Sequence, residues 1–163
     1  MRTLFVVALL LFVGLASPAT QASAQMGEEA AVEAVAETFL MALSAADAET
    51  MADLLAPGAA IYSVREGEGG ATLGVRDRES FLAGFEGDDR GFIERMWDPT
   101  VLVQDRVAMV WTPYDFHLNG EFSHCGIDVF TFLKADDGWK VTSITYNTVR
   151  EGCVPSPLGP PGG

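Results

Sequence analysis

The sequence predicts an α+β domain in which helices cover one face of a curved sheet of consecutive antiparallel strands. In the first half of the chain, apolar residues recur at helical spacing. The second half is a series of segments rich in β-branched and aromatic residues, separated by short turn signals. The 163 residues are enough for one domain, and the 48% apolar content excludes wholesale disorder.

Three helices are predicted in the first half. Residues 28–44 carry one apolar stripe at helical spacing, with acidic residues near the N-terminal end. The stripe consists of Val32, Val35, Ala36, Phe39, Leu40 and Leu43. Asp47 is placed to cap a second short helix that Pro57-Gly58 ends, and Asp77 is placed to cap a third within residues 74–85.

One strand is predicted between the second and third helices, and five follow the third. The predicted strands are residues 60–66, 92–97, 101–104, 107–118, 122–134 and 139–150. Asn119-Gly120 is typical of a type I′ hairpin turn, and residues 136–138 mark the next turn. The last segment, 154–163, is rich in Pro and Gly and is predicted to be disordered.

The first 24 residues are typical of a signal peptide. Arg2 precedes an apolar run from 3 to 16, and Ala22-Ser23-Ala24 has the small-x-small form of a cleavage site. The run is shorter than the roughly 20 apolar residues that span a bilayer, which disfavours the alternative of an uncleaved anchor. We expect a mature chain that begins at Gln25, is periplasmic or secreted, and has no membrane contact after cleavage.

The net charge of the chain limits the classes of partner that it can bind. Lys plus Arg total 10 against 23 Asp plus Glu, so the formal net charge is −13. This balance excludes nucleic acid as a partner and disfavours anionic membrane surfaces, because both require clustered basic residues.

Two cysteines remain in the predicted mature chain. In an oxidising compartment we expect Cys125 and Cys153 to form a disulfide. A buried free thiol and a metal ligand are the alternatives. Two cysteines without histidines at matching spacing make a poor zinc site, so we predict neither a metal nor a cofactor. The sequence also lacks a nucleophile elbow, a P-loop, a dinucleotide fingerprint and the H-E-x-x-H motif.

The order of elements resembles that of the nuclear transport factor 2-like superfamily, which includes SnoaL-like and ketosteroid-isomerase-like proteins. The likeness is clearest in WTPYDFHLNGEFSHCGIDVFTFLKADDGWKVTSITYNTVREGC, residues 111–153, which is similar to exported bacterial members described as lumazine-binding-like. This resemblance implies one domain over residues 25–153. It implies a cone-shaped, cystatin-like roll, in which a bent sheet with a mixed edge wraps about three helices and opens at one end as an apolar pocket.

A two-residue turn at Asn119-Gly120 sets a register for the strands on either side. Leu118 then faces Glu121, and the pairs further along are Asp115 with His124, Trp111 with Asp128 and Met109 with Phe130. A bulge at Pro113 would change this register. In this register the named residues from Met109 to Asp115 and from His124 to Phe130 share one face of the sheet.

That face mixes aromatic and polar side chains, as small-molecule pockets do. His124, Asp115 and Asp128 are the candidate acid–base groups. His124 and Asp128 are separated by roughly 13 Å along a strand, so they can line one cavity without forming a direct pair. The candidate ligand contacts are Tyr62, Trp97, Met109, Trp111 and Phe130.

Ordinary structural roles stay open for each of these residues. The histidine and the two aspartates could be solvated or tie down a loop. The tryptophans could be core or rim residues, and Tyr62 could point inward or outward. The arginines at 65, 76, 78, 90 and 95 could form surface ion pairs, whereas one of them at the pocket mouth would favour an anionic ligand.

Three functions fit these observations. The favoured one is an exported module that binds a small apolar or aromatic molecule. The second is a SnoaL-like or ketosteroid-isomerase-like enzyme, an isomerase, hydratase or hydrolase in which a buried carboxylate or histidine acts as the base. The third is an assembly module. The resemblance implies a homodimer formed through the sheet.

Overall fold

The computed structural model describes residues 18–67, 69–85, 87 and 90–161. The helices are α1 Pro18–Ser44, α2 Ala48–Leu54 and α3 Arg78–Ala83. The strands are β1 Leu55–Arg65, β2 Thr72–Asp77, β3 Phe92–Met96, β4 Thr100–Gln104, β5 Val107–Leu118, β6 Glu121–Ala135 and β7 Gly138–Thr148. The predicted α+β class and the three helices are confirmed.

The strands form one mixed sheet in the order β2-β1-β7-β6-β5-β3, with β4 paired to the other half of β5. Neighbouring strands are antiparallel except β1 and β7, which are parallel. The apolar stripe of α1 packs on the inner face of this sheet, where Phe39 contacts Phe130 edge to face with ring centroids 5.9 Å apart. The helices therefore cover the inner face of the sheet, and we call the opposite face the outer face.

Both predicted helix caps are present. The Asp47 carboxylate accepts a hydrogen bond from the backbone N–H of Thr50 at 3.0 Å, at the start of α2. The Asp77 carboxylate accepts one from the backbone N–H of Ser80 at 2.8 Å, at the start of α3. These bonds satisfy backbone donors that the first helical turn leaves unpaired.

The sequence did not predict β2: its first two residues have no assignment, and the other four fall in the segment 74–85 that contains the predicted third helix. β2 pairs with β1 at the sheet edge, and its side chains are almost all exposed. Such a strand carries no alternation of apolar and polar residues, which is the signal that identifies strands. Pro57-Gly58 does not end α2 but lies within β1, where the register with β7 shifts between Leu55 and Ala60.

The predicted register of β5 and β6 is wrong beyond the turn. Asn119 and Gly120 have the expected positive φ values of 53° and 80°, and Leu118 pairs with Glu121. A bulge then inserts Ser123, so that Phe116 faces His124. The predicted pairs are replaced by Asp115 with Cys125, Trp111 with Val129 and Met109 with Thr131.

Because side chains alternate along a strand, this shift of one residue changes which side chains share a face. His124, Asp128 and Phe130 share the inner face with the even-numbered residues of β5. Asp115 and Trp111 lie on the outer face. The predicted grouping of these five residues on one face is therefore wrong.

The predicted disulfide is confirmed: Cys125 on β6 is bonded to Cys153, which follows β7. Beyond it, residues 154–161 run without helix or strand, and the Gly159 carbonyl accepts a hydrogen bond from Arg95 at 2.8 Å. The predicted disorder of 154–163 stays a prediction.

The predicted signal peptide lies mostly outside the described residues. α1 begins before the predicted cleavage site and continues through it. The Gln25 side-chain amide donates to the Val103 carbonyl at 3.0 Å, so this residue is anchored to β4. In the part of the chain that the structure describes, no helix has both the length and the apolar character needed to cross a membrane.

Candidate functional site

A cavity of about 430 Å³ lies between the helices and the inner face of the sheet. Its walls come from α1, α3, β1, β3, β5, β6 and β7, and many of the residues that line it are aromatic. The phenylalanines that line it are Phe39, Phe81, Phe85, Phe92, Phe116 and Phe130. A concave, mostly apolar space with a few polar groups is typical of a small-molecule site.

Two carboxyl groups line the interior of this cavity. Asp128 lies near the middle of β6 and is 1% exposed, and Glu94 reaches the same region from the middle of β3. Asp128 Oδ2 has no hydrogen-bond partner among the described residues. Neither carboxyl group forms an ion pair with a basic side chain among the described residues.

Burial raises the pKa of both carboxyl groups. The pKa of Glu94 rises to about 7 through burial and through the charge of Asp115, although a hydrogen bond with Asp128 opposes the rise. Burial also raises the pKa of Asp128 well above its ordinary value, and the neighbouring Glu94 raises it further. Burial and the neighbouring acid therefore favour the protonated form of Asp128, which donates the hydrogen bond that Glu94 accepts.

Tyr114 is held beside this pair by its own hydrogen bond. Its side chain is 1% exposed, and its hydroxyl donates to the Asn147 carbonyl at 2.9 Å. A Cβ atom at Gly126 would overlap both that carbonyl oxygen and the Tyr114 ring, so glycine is required there. Burial raises the pKa of Tyr114 far above its usual range, which keeps the phenol neutral.

His124 lines the wall of the cavity as a neutral imidazole. Its ring stacks on Phe116 with centroids 4.8 Å apart, and its Nδ1 lies 3.0 Å from Ser123 Oγ. Burial lowers the pKa of His124 to about 4, and the positive charges of Arg150 and Arg65 lower it further. The ring can therefore donate or accept one hydrogen bond at neutral pH without carrying charge.

Exposed arginines line the opening of the cavity. They are Arg65, Arg76, Arg90 and Arg150, four of the ten basic residues in the chain. Arg65 Nη2 lies 3.5 Å from the Tyr146 hydroxyl, and the guanidinium of Arg76 sits over the Phe81 ring at 5.0 Å. Four of the ten basic residues of a strongly acidic protein therefore line this cavity.

The structure brings only part of the predicted site together. His124, Asp128 and Phe130 line the cavity. Met109 and Trp111 lie on the outer face because of the bulge at Ser123, and the Trp111 side chain is 40% exposed.

The other predicted residues also lie elsewhere. Asp115 lies on the outer face, where it pairs with Arg95. Tyr62 is 42% exposed on β1, and Trp97 follows β3. None of these three residues lines the cavity.

Sequence reasoning missed Glu94 and Arg150. Glu94 alternates with Phe92 and Met96 in a predicted strand, so an acidic residue on an otherwise apolar face was a usable signal. Arg150 follows the last strand and carries no such signal.

A bent mixed sheet that wraps helices around a one-ended cavity defines the cystatin-like fold of NTF2-like proteins. An NTF2-like protein from Novosphingobium aromaticivorans matches with a TM-score of 0.65 and 14% identity, over 86% of this chain and 95% of that one. A "putative dehydratase from the NTF2-like family" of Streptomyces avermitilis matches with a TM-score of 0.62 and 19% identity, over 76% and 97%.

The family itself follows from residues 27–147, which match the model of the family described as "Putative lumazine-binding". The chain belongs to this family. A "putative calcium/calmodulin dependent protein kinase II association domain" from Xanthomonas campestris also matches its structure, with a TM-score of 0.56 and 26% identity, over 74% of this chain and 86% of that one. No curated protein matches the chain.

Proposed function

We propose that this protein is an exported small-molecule-binding domain whose cavity takes a flat aromatic molecule that carries an acidic group. The observation that carries the proposal is the polarity of the cavity from its interior to its opening. Phenylalanines form its walls, a carboxyl pair lies inside, and arginines line the opening. A ligand with an aromatic body and one acidic end matches both regions.

The interior favours hydrogen bonding over charge. The proton of Asp128 is used in the bond to Glu94, so the pair presents acceptor oxygens, among them Asp128 Oδ2, which has no partner among the described residues. A ring that carries an N–H group would satisfy this acceptor, whereas an anionic group there would meet the negative charge of Glu94. The family description names lumazine, a fused two-ring compound with such groups, which supports this class of ligand.

The opening favours the acidic group. Guanidinium groups bind carboxylate and phosphate oxygens through paired N–H donors. Because the whole chain carries a formal charge of −13, arginines gathered at one opening attract anions there that the rest of the surface repels.

Native mass spectrometry of the protein purified from its own host tests the proposal. We expect a retained molecule with an ultraviolet absorbance typical of an aromatic ring. Arg150→Gln at the opening should weaken its retention, and Arg106→Gln is the matched control because Arg106 pairs with Asp136 away from the cavity. Trp111→Ala should retain the ligand, since Trp111 lies on the outer face. A protein that is empty and binds no aromatic acid would overturn the proposal.

Export is supported by the signal-like residues 1–24 and by the disulfide between Cys125 and Cys153. N-terminal sequencing of the protein from a fractionated culture tests it. We expect a mature chain that starts at Gln25 in the periplasm or medium. A full-length chain in the cytoplasm would contradict export and leave the binding proposal to its own test.

A second candidate function is acid–base catalysis, in which Glu94 and Asp128 act as the acid–base pair. The observation that favours it is the pKa of Glu94 near 7, which suits a general base at neutral pH. Asp115 takes no part because it faces the other side of the sheet. If the protein turns over its ligand, Glu94→Gln should abolish turnover and keep binding, whereas loss of binding alone favours the binding module.

We also propose a homodimer formed through the outer face of the sheet. This face exposes large apolar side chains, which are Tyr62, Val75, Leu102, Val107, Trp111 and Leu133. Sedimentation equilibrium tests the proposal. The wild-type protein should be a dimer and Leu133→Lys a monomer, and a monomeric wild type would contradict it.

A further inference from the structure

A second cavity of about 280 Å³ lies on the outer face, where it is separate from the candidate site. Its floor is formed by Arg95 on β3 and by Asp115 and His117 on β5. Its roof is residues 154–159, which we call the C-terminal strap. The disulfide tethers this strap to β6 and itself lines the cavity.

The floor holds a buried ion pair. Arg95 Nε donates to Asp115 Oδ1 at 2.9 Å, and Arg95 Nη2 donates to Asp115 Oδ2 at 2.5 Å. The same Nη2 donates to the Gly159 carbonyl of the strap at 2.8 Å. Nη2 carries two hydrogen atoms, and these two bonds use both of them.

The hydrogen bonds of Arg95 indicate which ring nitrogen of His117 carries the proton. Its Nε2 lies 3.4 Å from both Asp115 Oδ2 and Arg95 Nη2. Because the two shorter bonds use both Nη2 hydrogens, we assign the neutral ring in which Nε2 carries the proton and donates it to Asp115. The other ring nitrogen, Nδ1, is then a lone-pair acceptor.

Nδ1 of His117 is buried and has no partner among the described residues. The side chain is only 8% exposed, so bulk water does not satisfy it. A buried polar atom without a hydrogen bond is costly, and one that lies beside a cavity indicates a missing partner.

We propose that this cavity is a second binding site, which takes a compact carboxylic acid together with one proton. The proton lies between the carboxyl group and His117 Nδ1, and the second carboxyl oxygen accepts from Arg95 Nη1, which donates to no described residue. Phe122 and Val154 offer apolar walls for the rest of the molecule. The volume is near the lower end of small-molecule sites, about 300–1,000 Å³, so a single-ring acid fits better than a fused one.

The charges around the site explain why the proton accompanies the acid. Arg95 and Asp115 neutralise each other, and the strap residues carry no titratable side chain. A bare carboxylate has only acceptor oxygens and cannot satisfy the Nδ1 lone pair. An alcohol supplies the donor but places no second oxygen on Arg95.

Nuclear magnetic resonance of the two histidine rings tests the proposal, with benzoate as the probe. The chain has only two histidines, so ¹⁵N ring signals report the two cavities separately. In the free protein we expect His117 to carry its proton on Nε2. Benzoate at millimolar concentration should shift the His117 Nδ1 signal to saturation, and calorimetry in two buffers should show uptake of one proton.

Variants distinguish this site from the cavity on the inner face. His124→Gln should leave the His117 response unchanged. Ser156→Leu, on the strap, should fill the cavity and weaken benzoate binding at least about 10-fold, because an excluded benzoate loses its buried hydrogen bonds to His117 and Arg95. If benzoate shifts only His124, if neither ring responds, or if Nδ1 of free His117 carries the proton, the proposal is overturned.

Discussion

The sheet carries one buried aspartate on each face, and the pKa values of the two are shifted in opposite directions. Asp128 on the inner face is 1% exposed and Asp115 on the outer face is 4% exposed, so both are buried. Burial raises the pKa of Asp128, and the adjacent Glu94 raises it further. Burial also pushes the pKa of Asp115 upward, but hydrogen bonds from Arg95 and His117 outweigh this effect and lower it.

The difference shows that the neighbours of a buried acid, and not its depth, decide its charge. Arg95 and Glu94 are adjacent in β3 and point to opposite faces. One strand thus supplies a cation to the outer aspartate and a second acid to the inner one. The outer pair has its charge satisfied within the protein, whereas the inner pair keeps hydrogen-bonding capacity that a ligand can use.

The largest expected effect comes from making the same substitution on the two faces. Asp115→Asn leaves the largely buried Arg95 without its counter-charge and should lower the free energy of unfolding by about 2 kcal/mol, less than for a fully buried pair. Asp128→Asn removes an acid whose ionised form is disfavoured by burial and by Glu94, so it should cost much less free energy of unfolding than Asp115→Asn. Urea denaturation measures both. Equal losses for the two variants would contradict the comparison.

The next effect is the pH dependence caused by Glu94. Its pKa rises from 4.5 to about 7 on folding, so the folded state holds more protons than the unfolded state between these values. The stabilising contribution of protonated Glu94 is complete below pH 4.5 and is lost as the pH rises to about 7. Glu94→Gln should remove this loss. As the pH rises from 4.5 to about 7, the free energy of unfolding of the variant should therefore increase by about 1–3 kcal/mol relative to that of the wild type.

Glu37→Gln is the matched control for this prediction, because Glu37 is exposed on α1. Denaturation curves at several pH values should superimpose for Glu37→Gln and the wild type. A flat difference between Glu94→Gln and the wild type would mean that Glu94 titrates normally in the folded protein.

A smaller effect tests the C-terminal strap. Cys153→Ser removes the tether, so residues 154–159 should leave the outer face more often and expose His117. Modification by diethyl pyrocarbonate, located by mass spectrometry, should become severalfold faster at His117. The rate at His124 should not change, because that ring lies in the inner cavity. Equal rates at His117 with and without the disulfide would show that the strap does not shield it.

Most of the fold could be predicted from the sequence because its signals are local. Helical periodicity, the caps Asp47 and Asp77, and the Asn119-Gly120 turn all depend on residues close in sequence. The edge strand β2 could not be predicted in this way, since its side chains are exposed on both sides and have no pattern to read.

The candidate site was harder to predict because it depends on register. The bulge at Ser123 has no sequence marker, whereas Pro113, the residue at which the sequence analysis considered a bulge, pairs in register with Ile127. One inserted residue moved Asp115 and Trp111 out of the predicted pocket. The partner of Asp128 is Glu94, 34 positions away, and only the pairing of β3 with β5 and of β5 with β6 brings them together.

The carboxyl ¹³C signals of Glu94, Asp115 and Asp128, followed from pH 3 to pH 9, test the central claim most directly. We expect Asp115 to be ionised throughout most of the range, Glu94 to titrate near pH 7, and Asp128 to titrate well above the ordinary value of an aspartate. If all three carboxyl groups instead titrate together near pH 4, the inner face holds two ordinary solvated acids and the two faces do not shift the pKa of a buried aspartate in opposite directions.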